Sequence, residues 1–186
     1  GQEGMTDFDQ ARFAGYFGTF GRDPFVEGEE THPSVLKVAK EADEGRKPTF
    51  GGNWHSDWSF LETPPAFTFL HARELPPYGG DTMFANQYLA YETLSEGLRE
   101  TLDGMRAVYW AKGYAKGAAF FDNRNARSMK VRHDEAAMEE MVHPIVRVHP
   151  ESGRRALFAN VAYTVRFEGM TERESLPLLN FLYEHA

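Results

Sequence analysis

The chain contains no cysteine among its 186 residues. Disulfide bonds, thiolate metal ligands and catalysis by a thiol nucleophile are therefore excluded within it, and this composition suits a reducing compartment. A metal site in this chain has to be built from histidine and carboxylate side chains, which first-row divalent metals also accept as ligands.

Basic residues are in short supply. The 20 lysines and arginines are outnumbered by 28 aspartates and glutamates, which gives a net charge of −8. This charge repels phosphate groups, and no local cluster of basic residues offsets it. Neither a nucleic acid nor an anionic membrane surface is therefore an expected partner.

Long apolar runs are missing as well. None approaches the roughly 20 residues that a membrane-spanning helix needs. The N-terminal residues lack the basic and apolar regions of a signal peptide. We therefore expect a cytoplasmic location.

Apolar material is otherwise plentiful, since 41% of the residues are hydrophobic and 14% are aromatic. A chain of this length and composition can bury the core of one substantial domain, which we expect to span residues 1–186. Apolar spacing predicts a helix from Asp7 to near Gly18 and another over Glu172–Tyr183. Because both helices lie close to the ends of the sequence, we expect the domain to be incomplete at both ends.

Between these helices, the patterns favour short strands, loops and one further helix. Strands are predicted over Thr68–Ala72 and Thr82–Ala85, and a β-hairpin over Val142–Val148 and Ala156–Val161. A helix is predicted over Tyr88–Met105. This content indicates the α+β or the jelly-roll class.

Two details of this reading stay open. The helix that starts at Tyr88 has Ser95 and Gly97 in its interior, so that two shorter segments are the alternative. The polar stretch Gly113–Arg132 has little periodicity and is more typical of a lid than of a linker.

The sequence GGNWHSDWSF (residues 51–60) places His55 and Asp57 among aromatic residues. In a strand, residues two apart face the same side, so this imidazole and this carboxylate would point together. Such a pair, joined by a second histidine, forms the metal-binding triad of non-haem Fe(II) oxygenases. The alternative is that the two side chains belong to an ordinary hydrogen-bonded network.

Four blocks of the sequence match a known family in the right order. The longest is NWHSDWSFLETPPAFTFLHARELPPYGGDTMFAN (residues 53–86), preceded by Phe13–Gly21 and followed by HPIVRVHPESGRRALFAN (143–160) and LLNFLYEHA (178–186). These blocks resemble the taurine dioxygenase family of Fe(II)- and 2-oxoglutarate-dependent oxygenases. Ordered blocks of this length are far more specific than a bare His-x-Asp motif.

The resemblance implies a set of ligands. His55 and Asp57 would be two of the three iron ligands, and Thr82 would hydrogen-bond a carboxylate of 2-oxoglutarate. The third iron ligand and the arginine that pairs with 2-oxoglutarate are expected beyond Ala186. The implied fold is a double-stranded β-helix, or jelly-roll, core with flanking helices.

The resemblance also implies a reaction and a substrate pocket. The protein would hydroxylate a small organic substrate with dioxygen and release succinate and CO₂. Trp58, Phe60 and Tyr163 would form the pocket wall. Asp23 stands where taurine-specific members carry a histidine, and a carboxylate there would repel a sulfonate, so we expect a substrate with a cationic or hydroxyl group instead.

Two other function classes fit the same residues. One is a non-catalytic jelly-roll protein that binds a metal, and the other is a metal-dependent hydrolase in which His55 and Asp57 hold a metal that activates water. Association into a homo-oligomer is also open, because Tyr109 and Trp110 at the end of a predicted strand could face a partner, the pocket or the core.

Overall fold

The computed structural model of the protein describes residues 3–44, 50–114, 129 and 138–186. The chain divides into two compact units. The first comprises Gly1–Gly52, Pro65–Asp81 and Gly113–Ala137, and the second comprises Asn53–Pro64, Thr82–Lys112 and Met138–Ala186. The polar stretch predicted to be a lid lies outside the described residues, apart from its first two positions and residue 129.

In the first unit, helix α1 spans Asp7–Ala14. Its start is set by Thr6, because the Thr6 hydroxyl accepts the backbone N–H of Asp9 and the Asp9 carboxylate accepts the backbone N–H of Thr6. The prediction that this helix continues to near Gly18 was wrong. The N–H groups of Tyr16 and Phe17 bond to the carbonyls three residues back, which tightens the last turn and ends the helix.

The segment Phe67–Phe69 packs against this helix. The ring of Phe69 lies 5.6 Å from that of Phe13 and 5.1 Å from that of Phe17. The side-chain amide of Gln10 donates to the Phe69 carbonyl at 3.2 Å. The strand predicted over Thr68–Ala72 was therefore wrong, because this backbone meets a helical side chain and forms no ladder with a strand of the described part of the chain.

The second unit contains a three-stranded antiparallel sheet. Strand β1, Arg106–Tyr109, lies between β2, Met141–Pro144, and β5, Thr164–Phe167. The side chains of Ala107, Val108 and Tyr109 are buried. Tyr109 therefore faces the core, which answers one of the questions that the sequence left open.

A two-stranded sheet in the same unit is formed by β3, Val146–Val148, and β4, Arg155–Leu157. This pair confirms the hairpin predicted around the turn at His149, but the first predicted strand, Val142–Val148, is divided at Ile145 into β2 and β3, which lie in different sheets. Its second strand was predicted to run to Val161 but ends at Leu157, and the side chain of Asn160 bonds to the backbone of the loop that follows.

Three helices complete the second unit. The region after Gln87 forms two helices, α2 over Gln87–Glu92 and α3 over Glu96–Leu102, and Ser95 is the N-cap of the second. The single helix predicted over Tyr88–Met105 is therefore wrong, and the alternative of two shorter segments is confirmed. Helix α4 spans Glu172–His185, as predicted but two residues longer, and packs on β5. Helices and antiparallel sheets together make the described residues an α+β arrangement.

No helix in the described part of the chain has both the length and the apolar character that crossing a membrane requires.

Candidate metal centre

The segment Asn53–Leu61 carries the two predicted metal ligands, and we call it the 53–61 turn. The strand geometry assumed for residues 54–58 is wrong, since this backbone forms no strand and turns over residues 57–60. The Ser59 N–H donates to the Ser56 carbonyl, and the Leu61 N–H donates to the Trp58 carbonyl. Trp58 has a positive φ of 43°, a conformation that a bulky residue rarely adopts.

The side chains of His55 and Asp57 nevertheless converge. Nε2 of His55 lies 2.9 Å from Oδ1 of Asp57, and the two side chains are 27% and 39% exposed. The other ring nitrogen, Nδ1, lies 2.7 Å from the backbone oxygen of Asn53. A carbonyl oxygen can only accept, so Nδ1 carries a proton and donates it.

This arrangement fixes what Nε2 can do. In a neutral ring with its proton on Nδ1, the lone pair of Nε2 faces the Asp57 carboxylate. Two electron-rich atoms at this separation need a proton or a metal cation between them. In the metal-free state, the Asp57 carboxylate is the main cause that raises the pKa of His55, and burial acts against it.

The donor set also fits a metal by its spacing. Two nitrogen or oxygen ligands that each lie about 2.1 Å from one ion, at right angles to each other, are about 3 Å apart. The observed separation of 2.9 Å between Nε2 and Oδ1 agrees with this. In the described ranges 3–44, 50–114, 129 and 138–186, no group of three histidine or carboxylate side chains is placed to hold a metal.

An aromatic wall adjoins the pair. The buried ring of Tyr163 lies 4.8 Å from that of Phe60 and 6.3 Å from those of Trp58 and His55. The three predicted pocket residues therefore pack together beside the predicted ligands, although none of them is among the residues that line the pocket next to His55. Sequence spacing alone does not place Tyr163, about a hundred positions away, beside them.

A pocket of about 140 Å³ opens beside His55. It is lined by aromatic, apolar and amide side chains, among them Trp54, Phe84, Gln87, Asn160 and Tyr183.

The predicted cofactor residue Thr82 is exposed and is not among the residues that line this pocket, although Met83, Phe84 and Ala85 directly after it are. The strand predicted over Thr82–Ala85 was wrong. This stretch forms no ladder with another strand of the described residues.

The predicted substrate residue Asp23 belongs to the first unit. Its Oδ1 atom accepts the backbone N–H groups of Phe25 at 2.7 Å and Val26 at 2.6 Å. This is the turn in which an aspartate side chain bonds the backbone that follows it. Asp23 therefore has a local structural role, and its role towards a substrate stays a prediction.

The remaining histidines near the site are used structurally. Nε2 of His143 lies 2.8 Å from the Leu61 carbonyl, and burial is the main cause that lowers the pKa of this ring. Nε2 of His185 lies 2.9 Å from the Ala90 carbonyl. In both rings Nε2 therefore faces a backbone carbonyl.

Two residues of the site were not predicted. Ser59 is fully buried and Asn160 is 6% exposed, and the amide nitrogen of Asn160 lies 3.0 Å from the Ser59 hydroxyl. Both stand inside blocks that carry the family resemblance. A signal was therefore present, but a polar residue's burial cannot be read from its position in a block.

Comparison with known proteins decides the family. The model of the taurine catabolism dioxygenase TauD, TfdA family matches residues 1–186. The chain belongs to the TauD/TfdA family. The predicted resemblance to this family is confirmed, and relatives that the chain matches are named α-ketoglutarate-dependent dioxygenases.

Among TauD/TfdA relatives, the α-ketoglutarate-dependent sulfonate dioxygenase of Saccharomyces cerevisiae is 34% identical over 151 residues, which are 81% of this chain and 34% of the relative. A crystal structure of a taurine dioxygenase from Burkholderia xenovorans is 31% identical with a TM-score of 0.64, covering 97% of this chain and 55% of that one.

A third comparison concerns bound groups. A crystal structure of AAD-2 in complex with Mn(II) and N-oxalylglycine is 28% identical, with a TM-score of 0.58 over 72% of this chain and 43% of that one. The chain spans about a third of the length of the yeast relative and about half of these solved structures.

Proposed function

We propose that the protein is an Fe(II)- and 2-oxoglutarate-dependent dioxygenase that hydroxylates a small organic substrate. The observation that carries the proposal is the convergence of His55 Nε2 and Asp57 Oδ1 to 2.9 Å beside an aromatic wall, in a member of the TauD/TfdA family. The jelly-roll core remains part of the proposal, supported by the antiparallel sheets and by the family.

His55 and Asp57 would hold the metal. In the neutral ring, the hydrogen bond from Nδ1 to the Asn53 carbonyl places the proton on Nδ1, so that the lone pair of Nε2 would be directed at the metal. Asp57 contributes a negative charge that offsets part of the charge of the ion. The third ligand of the proposed triad is not among the described residues.

The bound metal with 2-oxoglutarate and dioxygen would supply the oxidation, in which 2-oxoglutarate loses CO₂ and becomes succinate while the substrate gains a hydroxyl group. Trp58, Phe60 and Tyr163 would exclude water and present an apolar surface to the substrate. The hydroxyl of Thr82 would donate a hydrogen bond to a 2-oxoglutarate carboxylate and fix its orientation.

The test uses the full-length protein under anaerobic conditions. Addition of Fe(II) and 2-oxoglutarate is expected to give the weak visible charge-transfer band of their chelate. His55→Ala is expected to abolish this band because it removes one ligand. His149→Ala is the matched control, since His149 lies on the exposed turn between β3 and β4 and is not among the pocket-lining residues.

Each rival class predicts a different result. A non-catalytic metal-binding protein would bind Fe(II) without consuming 2-oxoglutarate in the presence of dioxygen. A metal-dependent hydrolase would act on its substrate without dioxygen and without 2-oxoglutarate. Either outcome, or an unchanged band in His55→Ala, would contradict the proposal.

The substrate class is the most specific part of the proposal. We expect substrates with an amine or hydroxyl group to be turned over faster than taurine, because the Asp23 carboxylate would repel a sulfonate. Succinate release measured in parallel for taurine and for analogues in which an amine or hydroxyl group replaces the sulfonate tests this. Rapid turnover of taurine would refute the charge argument and leave the proposed reaction intact.

A further inference from the structure

Ser59 and Asn160 form a buried hydrogen-bonded pair next to the candidate metal centre. The Nδ2 atom of Asn160 donates to the Ser59 hydroxyl at 3.0 Å, and Oδ1 of Asn160 accepts the backbone N–H of Tyr163 at 3.0 Å. Ser59 is fully buried, and Asn160 is 6% exposed. A pair this deep in the protein has little water to replace a lost partner.

Chemistry fixes the orientation of the Asn160 amide. The N–H of Tyr163 can only donate, so the amide atom that faces it must be the oxygen. The amide nitrogen therefore faces Ser59, whose hydroxyl oxygen accepts. Rotating the amide by half a turn would place its nitrogen against the Tyr163 N–H and break that bond, which means that the pair holds one arrangement.

The pair joins two parts of the site that are far apart in sequence. Ser59 lies two residues after Asp57 in the 53–61 turn, and Asn160 lies in the loop that leads from β4 to Tyr163. This loop is itself held, because the Asn160 N–H donates to the Thr164 hydroxyl at the start of β5. Asn160 also lines the pocket beside His55.

The 53–61 turn needs such an anchor. His55 lies in irregular backbone and Asp57 at the start of a turn, and neither pairs with a strand of the described residues. The contact between His143 and the Leu61 carbonyl anchors the far end of the turn, four residues after Asp57. The contact at Ser59 is closer to the ligands. Trp58, whose positive φ is a strained conformation, lies between Asp57 and Ser59.

We propose that Ser59 and Asn160 are positioning residues for the metal centre. Through their hydrogen bond they hold the 53–61 turn so that Nε2 of His55 and Oδ1 of Asp57 point to one location before any ion arrives. This inference rests on the proposed function, because it assigns the two residues a task towards the same metal ligands.

The test compares two buried serines in the full-length protein. Ser175 is also fully buried, and its hydroxyl accepts from the Phe167 N–H and donates to the Thr171 carbonyl, each at 2.9 Å. Ser59→Ala and Ser175→Ala therefore remove the same group from equally buried sites of the same unit. Only Ser59 lies in the 53–61 turn and takes part in the hydrogen bond that anchors it.

Mn(II) is the probe, and its Kd is measured by isothermal titration under anaerobic conditions. We expect Ser59→Ala to raise the Kd by roughly tenfold, the scale of lost supporting hydrogen bonds around metal ligands. Both variants are expected to lower the melting temperature by a similar amount. Ser175→Ala is expected to leave the Kd unchanged. In the metal-free protein, the NMR signals of the His55 ring are expected to shift or broaden in Ser59→Ala and to stay unchanged in Ser175→Ala.

Asn160→Ala removes the donor of the same hydrogen bond. If the two residues act as a pair, the double variant Ser59→Ala/Asn160→Ala raises the Kd no further than Asn160→Ala alone. A Kd within twofold of the wild type in both single variants would overturn the positioning role. A wild-type protein that binds no Mn(II) would instead overturn the proposed function itself.

Discussion

His143 ties the sheet to the 53–61 turn, and this contact should respond to pH. The ring lies in β2, its Nε2 atom meets the Leu61 carbonyl at 2.8 Å, and it packs on Tyr109. A carbonyl accepts only, so Nε2 carries the proton of the neutral ring. Burial, followed by the nearby charges of Arg147 and Arg106, lowers the pKa of this histidine, although the bond to Leu61 acts against the shift.

The sign of the effect follows from linkage. Because the folded pKa lies below the unfolded value, the neutral ring stabilises the fold above the unfolded pKa. This contribution is lost as the pH falls from that value through the folded pKa. We expect the free energy of unfolding to fall less between pH 7 and pH 5 in His143→Gln than in the wild type.

Denaturant unfolding at several pH values measures this difference, and an NMR titration of the His143 ring gives the folded pKa directly. An imidazole that titrates above the value of an unfolded peptide would contradict the prediction. His149→Gln is the control, because His149 lies on an exposed turn away from the 53–61 turn.

At this scale the sequence predicted that the side chains of His55 and Asp57 converge, but for the wrong reason. His55 and Asp57 were expected to converge through strand alternation, but they converge because the backbone turns after Asp57 and Nδ1 is fixed by the Asn53 carbonyl. The Ser59–Asn160 pair was not predicted, because a contact between residues about a hundred positions apart leaves no local pattern. A motif shows which residues could bind a metal, but it does not show which other residues hold them in place.

Among the elements, α4 begins with a capping box formed by Thr171 and Glu174, whose contribution to stability can be tested. The Thr171 hydroxyl accepts the Glu174 N–H at 3.3 Å, and the Glu174 carboxylate accepts the Thr171 N–H at 2.8 Å. We expect Thr171→Ala to destabilise the protein by about 1 kcal/mol, since it removes the N-cap acceptor of the helix that packs on β5.

Thr101 provides the control for this substitution. Its hydroxyl donates to the Gly97 carbonyl inside α3, at an exposed position. Alanine is the better helix former there, so Thr101→Ala is expected to be neutral or slightly stabilising. Denaturant unfolding of both variants checks the pair, and equal destabilisation would show that the cap contributes nothing specific.

Elements were predictable where their signals are local. The cap and apolar spacing of α4, the break at Ser95 and the hairpin at β3 and β4 all depend on residues within a few positions. The strands predicted over Thr68–Ala72 and Thr82–Ala85 failed because a strand is defined by a distant partner. Apolar alternation in such a segment indicates an extended backbone and does not show that a neighbour pairs with it.

For the molecule as a whole, ordered blocks of sequence carried more information than any single residue. Four blocks predicted the family, and the family model matches residues 1–186. The substrate did not follow from them, because the pocket's chemistry depends on which side chains from distant segments meet. Asp23 illustrates this, since the carboxylate that was read as a substrate contact bonds the backbone of its own turn.

Metal binding should stabilise the whole molecule if His55 and Asp57 converge as described. An ion that binds only the folded state, at a free concentration 100 times its Kd, adds about 2.7 kcal/mol to the free energy of unfolding. We therefore expect Mn(II) to raise the melting temperature of the full-length protein and a chelator to reverse the shift. Asp57→Asn should lose most of it, because the neutral amide no longer offsets the charge of the ion.

The matched control for Asp57 is Asp103→Asn. Asp103 also accepts a hydrogen bond from Tyr91 and forms an ion pair with Arg155. It follows α3, however, and is not among the pocket-lining residues. This variant should lower the melting temperature with and without Mn(II) by the same amount, so that the metal-induced shift stays at the wild-type value. A shift of equal size in Asp57→Asn and the wild type would mean that the ion binds elsewhere, since a ligand stabilises the fold only through the groups that contact it.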